Sequence, residues 1–397
     1  MRSLATSFGA ASSKRIGSVE ARRGFMRIGL KASVAAWLAG ARDHGFADSA
    51  LSVEGIDHGA TGWVMPDEGA PHAATWMAFG PSEDLWGRRL QAAAQDDLAR
   101  VAKTIGGFEP VNMLVREEDY EIAQSKCGDA VNLIVQPVDD IWMRDTGPVF
   151  VRSHGGGDTH AKGGIDFNFN GWGDKQEHGH DAAVARSVAQ AAGIRQVSTR
   201  LVLEGGALEV DGDGTAILTE SCVLNPNRNP GVSKSACEAA LRHLLGLRKI
   251  IWLPGVMGKD ITDGHTDFYA RFVRPGVVVV HLDDDTASYD YAVTRRHLDI
   301  LRQATDAAGR KLQIVVLPAP NSVRVAYESD GFAAGYVNFY VCNGGVIAPQ
   351  FGDRRTDRNT RDKLRDLFPG REIVQVDIDG IAAAGGGIHC TTQQQPV

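Results

Sequence analysis

Between Ala207 and Ile378 the chain writes one pattern three times: a β-rich hairpin, a helix, and a further short strand. Ala207–Thr219 reads as strand, Asp-Gly turn, strand; Ser233 is placed to cap a helix running to Gly246, and Lys249–Leu253 is a short apolar strand. Asp267–Leu282 turns at Pro275-Gly276 and leads to a helix over Tyr289–Ala308 and a strand at Leu312–Leu317. Gly335–Gln350 turns at Asn343-Gly344-Gly345 and leads to a helix over Asp357–Phe368 and a strand at Glu372–Ile378. The helices carry apolar residues at three- and four-residue spacing, as at Leu241, Leu244 and Leu245. Two looser copies lie upstream. One is a hairpin in Pro148–Phe169, a helix at Asp181–Ala192 and a strand at Gln196–Val202; the other is Thr75–Phe79, a helix over Leu85–Ile105, and strands at Val111–Val115 and Val131–Val135. A module of this size cannot bury its apolar face alone, so about five copies suggest a radially repeated α/β fold, a pseudo-symmetric ββαβ propeller. The same alternation also fits an ordinary α+β protein.

The 397 residues are 43% hydrophobic and 23% charged, enough for a large core. Length alone would allow two or three domains, but closed repeats run long as one, and a single catalytic domain is expected over 58–397. The formal charge of -7 gives no signal for nucleic acid or an anionic membrane and is compatible with a small cationic substrate; self-association into a homo-oligomer is left open. The cysteines (Cys127, Cys222, Cys237, Cys342, Cys390) are scattered and form no CxxC pair, which argues against a zinc knuckle or a thioredoxin-like motif. Residues 1–50 read as a separate leader. Arg22-Arg23-Gly24-Phe25-Met26-Arg27 is a twin-arginine pattern, followed by a modest apolar run from Ile28 to Leu38 and the small residues Ala39-Gly40-Ala41. A stable membrane span needs roughly 20 apolar residues, so a removable signal and a periplasmic location are expected, with no stable membrane insertion. The plainer alternative is an arginine-rich leader on a cytoplasmic protein.

Polar motifs follow the last strand of successive modules. They are Asp139–Pro148, which holds Trp142 and Asp145; Glu204-Gly205-Gly206; Asp263-Gly264-His265-Thr266-Asp267; Pro318–Arg324; and Gly385–Cys390. Around an axis, equivalent loops converge at one end. Trp142, Asp145, Glu204, His265, Asp267 and Cys390 would then share one site. Each motif alone is weak. A lone cysteine is more often a buried small hydrophobe than a nucleophile, Arg144-Asp145 could be a structural ion pair, and Glu204 a turn residue. His265 with Asp263 and Asp267 could hold a metal, although no second histidine stands at helical ligand spacing. For Asp263 and His389 the structural reading is preferred.

Together the residues say more. Thiolate formation is disfavoured beside negative charge, so Cys390 among Asp145, Glu204 and Asp267 is a poor nucleophile until a cation neutralises the acids. A planar guanidinium fits best: carboxylates can grip its N–H groups bidentately, and Trp142 can pack on its face or on the alkyl chain. Cys390 could then attack the central carbon while His265 serves as acid and base, with neither cofactor nor metal required.

Five segments carry a resemblance: Trp142–Pro148, Glu204–Gly206, Asp263–Asp267, Tyr336-Val337-Asn338-Phe339-Tyr340 with Asn343–Val346, and Gly387–Gln394. In this order they resemble the agmatine deiminase / Porphyromonas-type peptidylarginine deiminase family, from about Trp63 to the C-terminus. The resemblance implies the pentein-type five-bladed propeller of the guanidine-modifying superfamily. It also implies Cys390 as nucleophile, His265 as general acid and base, Asp145 and Asp267 as guanidinium ligands, Glu204 beside His265 and Trp142 in the pocket wall. Two features depart from the agmatine branch. Gly387 stands where an asparagine is usual, and the apparent export signal is unusual for enzymes that are mostly cytoplasmic. Agmatine, giving N-carbamoylputrescine and ammonia, is the expected substrate, because Tyr336–Tyr340 and Gln393–Pro396 look closer to that branch. The alternative is an exported peptidylarginine deiminase producing citrulline in peptides. More distant readings are a metal-dependent hydrolase, an amidinotransferase, and a non-enzymatic binding propeller such as the ribosome-binding relatives.

Overall fold

The described residues of the computed structural model, 62–154, 161–327 and 331–397, carry five separate small sheets, one per module. The twin-arginine segment and the expected export signal lie outside the described residues. Among the described residues, no helix is long and apolar enough to cross a membrane.

In four of the five blades a hairpin is extended by a strand parallel to its second member. The third blade shows the rule: Ala270–Arg274 runs antiparallel to Val277–Leu282, which pairs in parallel with Gln313–Pro318. The crossover in this blade is the helix Asp290–Gln303, as parallel neighbours require. The same plan recurs with Glu209–Val210, Thr215–Thr219 and Lys249–Leu253, and with Tyr340–Cys342, Gly345–Gln350 and Glu372–Asp377. Ser233 caps its helix as expected, its side chain accepting from Ala236 N at 3.2 Å. Asn343 turns its hairpin and also joins blades, accepting from His72 N at 3.0 Å and donating to His72 O at 2.8 Å.

The first and last blades differ from the sequence reading. Val149–His154 gains a partner upstream, Gly62–Val64, on the outer edge of its hairpin. The blade of His72–Phe79, Val111–Val115 and Asn132–Val135 takes its missing antiparallel strand from the C-terminus, Gln393–Pro396. That strand is polar in sequence and nevertheless largely buried, because each glutamine has a partner. Gln393 and Gln394 accept from Arg144 Nη1 at 2.7 Å each, and Gln395 accepts from Trp76 Nε1 at 2.8 Å. The ring thus closes by pairing its two ends. Truncation after Thr392 is expected to remove this closure and leave buried Arg144 short of partners, which costs about 3–5 kcal/mol when a buried charge is uncovered. A lowered denaturant midpoint would show it, and an unchanged midpoint would contradict the closure argument.

Candidate active site

Four of the five blades are entered through one short helical turn or a single helical step, and these turns carry the polar motifs. Met143–Thr146 brings Asp145, Gly205–Ala207 follows Glu204, Thr266–Phe268 brings Asp267 next to His265, and His389–Thr391 brings Cys390. The fourth position is filled from Asn338, just ahead of Tyr340–Cys342. The segment Pro318–Arg324 does not reach the site. Arg324 pairs instead with Asp377 and Asp379.

Cys390 Sγ lies 3.6 Å from Asp267 Oδ2 and accepts from Asn338 Nδ2 at 3.4 Å. Asn338 also holds the cysteine turn, its Oδ1 accepting from His389 N at 3.0 Å. Gly387 permits this approach: a Cβ there would stand 2.3 Å from Asn338 Oδ1. Burial first, then Asp267 and Asp145, pushes the Cys390 thiol well above its ordinary pKa, against the opposing Gly387 N–H and Asn338 amide. The free protein therefore holds a thiol here, not a thiolate.

His265 Nε2 faces Glu204 Oε2 at 3.3 Å and Nδ1 faces Asp145 Oδ1 at 3.8 Å. Burial works against the charged ring, but Asp145 foremost, with Cys222 and Glu204, holds its pKa well above that of a free imidazole. Glu204 is fixed from behind by Arg228 Nε at 3.0 Å. Arg228 in turn reaches Asp263 at 2.6 Å, and Lys175 reaches the same oxygen at 2.7 Å. Asp263 is thereby spent on structural partners, in line with the structural reading preferred for it, and the competing metal set of His265, Asp263 and Asp267 is not assembled among the described residues.

Asp145 Oδ1 accepts from Gly206 N at 3.0 Å and Oδ2 from Trp172 Nε1 at 3.1 Å. Trp172 sits at φ +56°, a left-handed conformation costly for so large a side chain. The Glu-Gly-Gly motif has a steric reason. A Cβ on Gly206 would come within 2.5 Å of His265 Nδ1 and 2.8 Å of Asp145 Oδ1. Gly206→Ala is expected to lower kcat by about 100-fold, the scale for misplacing a reacting group by roughly 1 Å, with the thermal midpoint showing whether folding survives. Activity within threefold of the parent would refute the steric argument.

Asp267 differs from Asp145 in having one oxygen, Oδ1, buried without a hydrogen-bond partner. Its other oxygen accepts from His389 Nδ1 at 2.8 Å, while His389 Nε2 reaches Glu68 Oε2 at 2.9 Å. Burial, Arg144 and Arg271 depress the pKa of this ring. Both ring nitrogens nevertheless face carboxylate oxygens, and only an imidazolium can donate to both. Glu68 and Asp267 both stand below their ordinary values despite burial, held down by Arg271 and His389 at Glu68 and by His389 at Asp267, as a positive ring requires. We assign the charged form. Glu68 extends the lattice to Arg144 at 3.1 Å and Arg271 at 2.8 Å, so Arg144 pairs with Glu68 and not with its neighbour Asp145.

These residues open into a pocket of about 580 Å³, its mouth included, between Trp86, Trp142, Trp172, Ile261 and Phe268. Buried Asp140 braces the wall, accepting from Trp86 Nε1 at 2.8 Å and Trp142 Nε1 at 2.9 Å while the two indoles stack at 5.8 Å. No lysine or arginine is among the described residues that line it. Trp142, Asp145, His265 and Cys390 line the pocket directly, Asp267 stands against Cys390, and Glu204 stands behind His265. Asn338, Trp172, Asp140 and Glu68 had been given no role by the sequence.

A five-bladed α/β propeller whose blade entrances gather a thiol, an imidazole and carboxylates defines a hydrolase class acting on C–N bonds in linear amidines. The family model of the Porphyromonas-type peptidyl-arginine deiminases matches residues 64–396. The agmatine deiminase of Stutzerimonas stutzeri is 40% identical, over 84% of this chain and 96% of its own length. That of Medicago truncatula is 38% identical over the same shares. The solved agmatine deiminase of Enterococcus faecalis superposes with a TM-score of 0.77 at 32% identity, covering 84% of this chain and 96% of its own. The chain belongs to the Porphyromonas-type peptidyl-arginine deiminase family.

Proposed function

We propose that the protein hydrolyses the guanidinium group of agmatine to N-carbamoylputrescine and ammonia, with Cys390 as nucleophile. One observation carries the guanidinium reading: Asp145 and Asp267 flank the buried thiol, and Asp267 Oδ1 lacks a donor. A guanidinium N–H supplies that donor, and its charge neutralises the acids that keep Cys390 protonated. The absence of a cationic side chain among the described lining residues favours agmatine over free arginine, whose carboxylate would go unpaired in an apolar pocket. Relatives named agmatine deiminase at about 40% identity support the same substrate.

The chemistry runs in two halves. As the cation settles, the Cys390 thiol gives up its proton to solvent and Sγ bonds to the guanidinium carbon. The C–N bond breaks as the imidazolium of His265 gives its proton to departing ammonia. The product is a thiouronium on Cys390. His265, now neutral, takes a proton from water as that water's oxygen bonds to the same carbon; the C–S bond then breaks, the hydroxyl proton passing to the departing Sγ, which releases the ureido product and restores the thiol. Trp142 and Trp86, which line the pocket, are placed to pack on the methylene chain.

Ammonia release with agmatine, free arginine and arginine-containing peptides separates the substrates. Agmatine is expected to exceed free arginine in kcat/KM by at least about 100-fold, roughly the weight of one unpaired buried charge, and to be turned over faster than the peptides. Faster turnover of peptides would replace agmatine with the peptidylarginine reading, and no turnover of any guanidine would refute both.

A further inference from the structure

Cys222 takes no part in the hydrolysis above, yet it stands against its acid-base machinery. It lies on the helical turn Glu220–Val223 and is fully buried. Its Sγ is 3.5 Å from Glu204 Oε2, and His265 Nε2 is 3.3 Å from the same oxygen. Sulfur, imidazole nitrogen and carboxylate oxygen fall within 4.8 Å of one another. These are the three donor types that zinc takes from proteins.

The distances match as well. With Zn–S near 2.3 Å and Zn–N and Zn–O near 2.0 Å, tetrahedral angles put sulfur and oxygen about 3.5 Å apart and nitrogen and oxygen about 3.3 Å apart. Both edges are already present in the protein. Arg228 engages the other oxygen of Glu204, Oε1, which leaves Oε2 directed at the trio, although its charge opposes a nearby cation. Asp145, 3.8 Å from His265 Nδ1, offsets that charge. His265 also lines the substrate pocket, which gives an ion a route in.

We propose that Cys222, His265 and Glu204 form a binding site for a thiophilic divalent cation, Zn2+ foremost, and that its occupancy inhibits the enzyme. Binding forms Zn–S, Zn–N and Zn–O bonds and releases the thiol proton, with any proton on the imidazole nitrogen, to solvent; no electrons move. The ion removes His265 from proton transfer and adds positive charge where the guanidinium must settle. Only the inhibition rests on the deiminase reading; the binding can be measured without turnover.

The test uses the chelator-stripped full chain and Co2+ as a spectroscopic probe, with Zn2+ as competitor. One equivalent of Co2+ should give a thiolate charge-transfer band in the parent and in Cys390→Ala, and no band in Cys222→Ser. Zn2+ should abolish the band, and Zn2+ affinity should fall by at least about 100-fold in Cys222→Ser, since loss of a ligand outweighs the 10–100-fold of an outer-shell change. Inhibition of the parent by Zn2+ should reverse with chelator. A second measurement avoids dependence on the folding of the serine variant: in Cys390→Ala, Zn2+ should selectively protect Cys222 from slow alkylation, read by mass spectrometry. A band that persists in Cys222→Ser, one that vanishes in Cys390→Ala, no stoichiometric binding to the parent, or unprotected Cys222 would each overturn the proposal. The first two would place the metal on another thiol.

Discussion

Cys390→Ala is expected to lower kcat by about 10⁴-fold or more, the scale seen when a covalent nucleophile is removed. Agmatine should still bind, because Asp145, Asp267 and the tryptophan wall remain. That binding carries a defined pH dependence. Burial raises the Asp145 carboxyl to about 6, reinforced by Asp267 and Glu204 and opposed by His265. In the free protein, the stability contributed by this group is complete below about pH 4 and is lost as pH rises through about 6. A bound cation reverses the preference and favours the ionised form. Agmatine should therefore raise the thermal midpoint of Cys390→Ala more near pH 8 than near pH 5. An equal shift at both pH values would remove Asp145 from the cradle, and turnover above about 1% of the parent would remove Cys390 from the chemistry.

Asp267→Asn should separate binding from thiol activation. The change removes one charge from the cradle and leaves His389 facing an amide. Truncating one partner of a buried hydrogen-bonded charge pair costs about 2–5 kcal/mol, so kcat/KM should fall by roughly 30- to 4,000-fold by the usual conversion of 1.4 kcal/mol per tenfold. The free thiol should move the other way. After burial, Asp267 is the leading cause of the raised Cys390 pKa. Its loss should lower that pKa and speed alkylation of Cys390 by iodoacetamide at neutral pH. A variant poorer in turnover and richer in thiolate is the specific signature. Slower alkylation, with the fold intact, would mean that Asp267 does not oppose the thiolate.

Much of this was readable from local pattern. The hairpins at Pro275-Gly276 and Asn343-Gly344, the cap at Ser233 and the strand Lys249–Leu253 all depend on residues near one another in sequence. Repetition then allowed the motifs to be placed at equivalent points, and four of those five placements agree with the blade entrances. What was missed depends on distant partners. Asn338 reaches Cys390 across 52 residues, and nothing in Tyr336–Tyr340 marks one polar residue as the thiol's neighbour. Trp172 matters through a positive φ and an indole aimed at Asp145, neither visible in a one-dimensional pattern. The run Gln393–Gln395 looks like a solvated tail until Arg144 and Trp76 are seen to use it.

The sequence by itself determined the composition of the site: a thiol, an imidazole and acids at the ends of repeated strands, a set whose mutual electrostatics calls for a cation. It determined this because repeat period and turn chemistry are local properties. Tertiary structure alone decided how those charges are apportioned. Asp263 is consumed by Arg228 and Lys175, and Arg144 is drawn to Glu68 and the C-terminal glutamines. Asp267 is left with one buried oxygen lacking a donor. Burial makes each pairing exclusive, since a charge removed from water must find its counterpart among whatever the fold brings within reach.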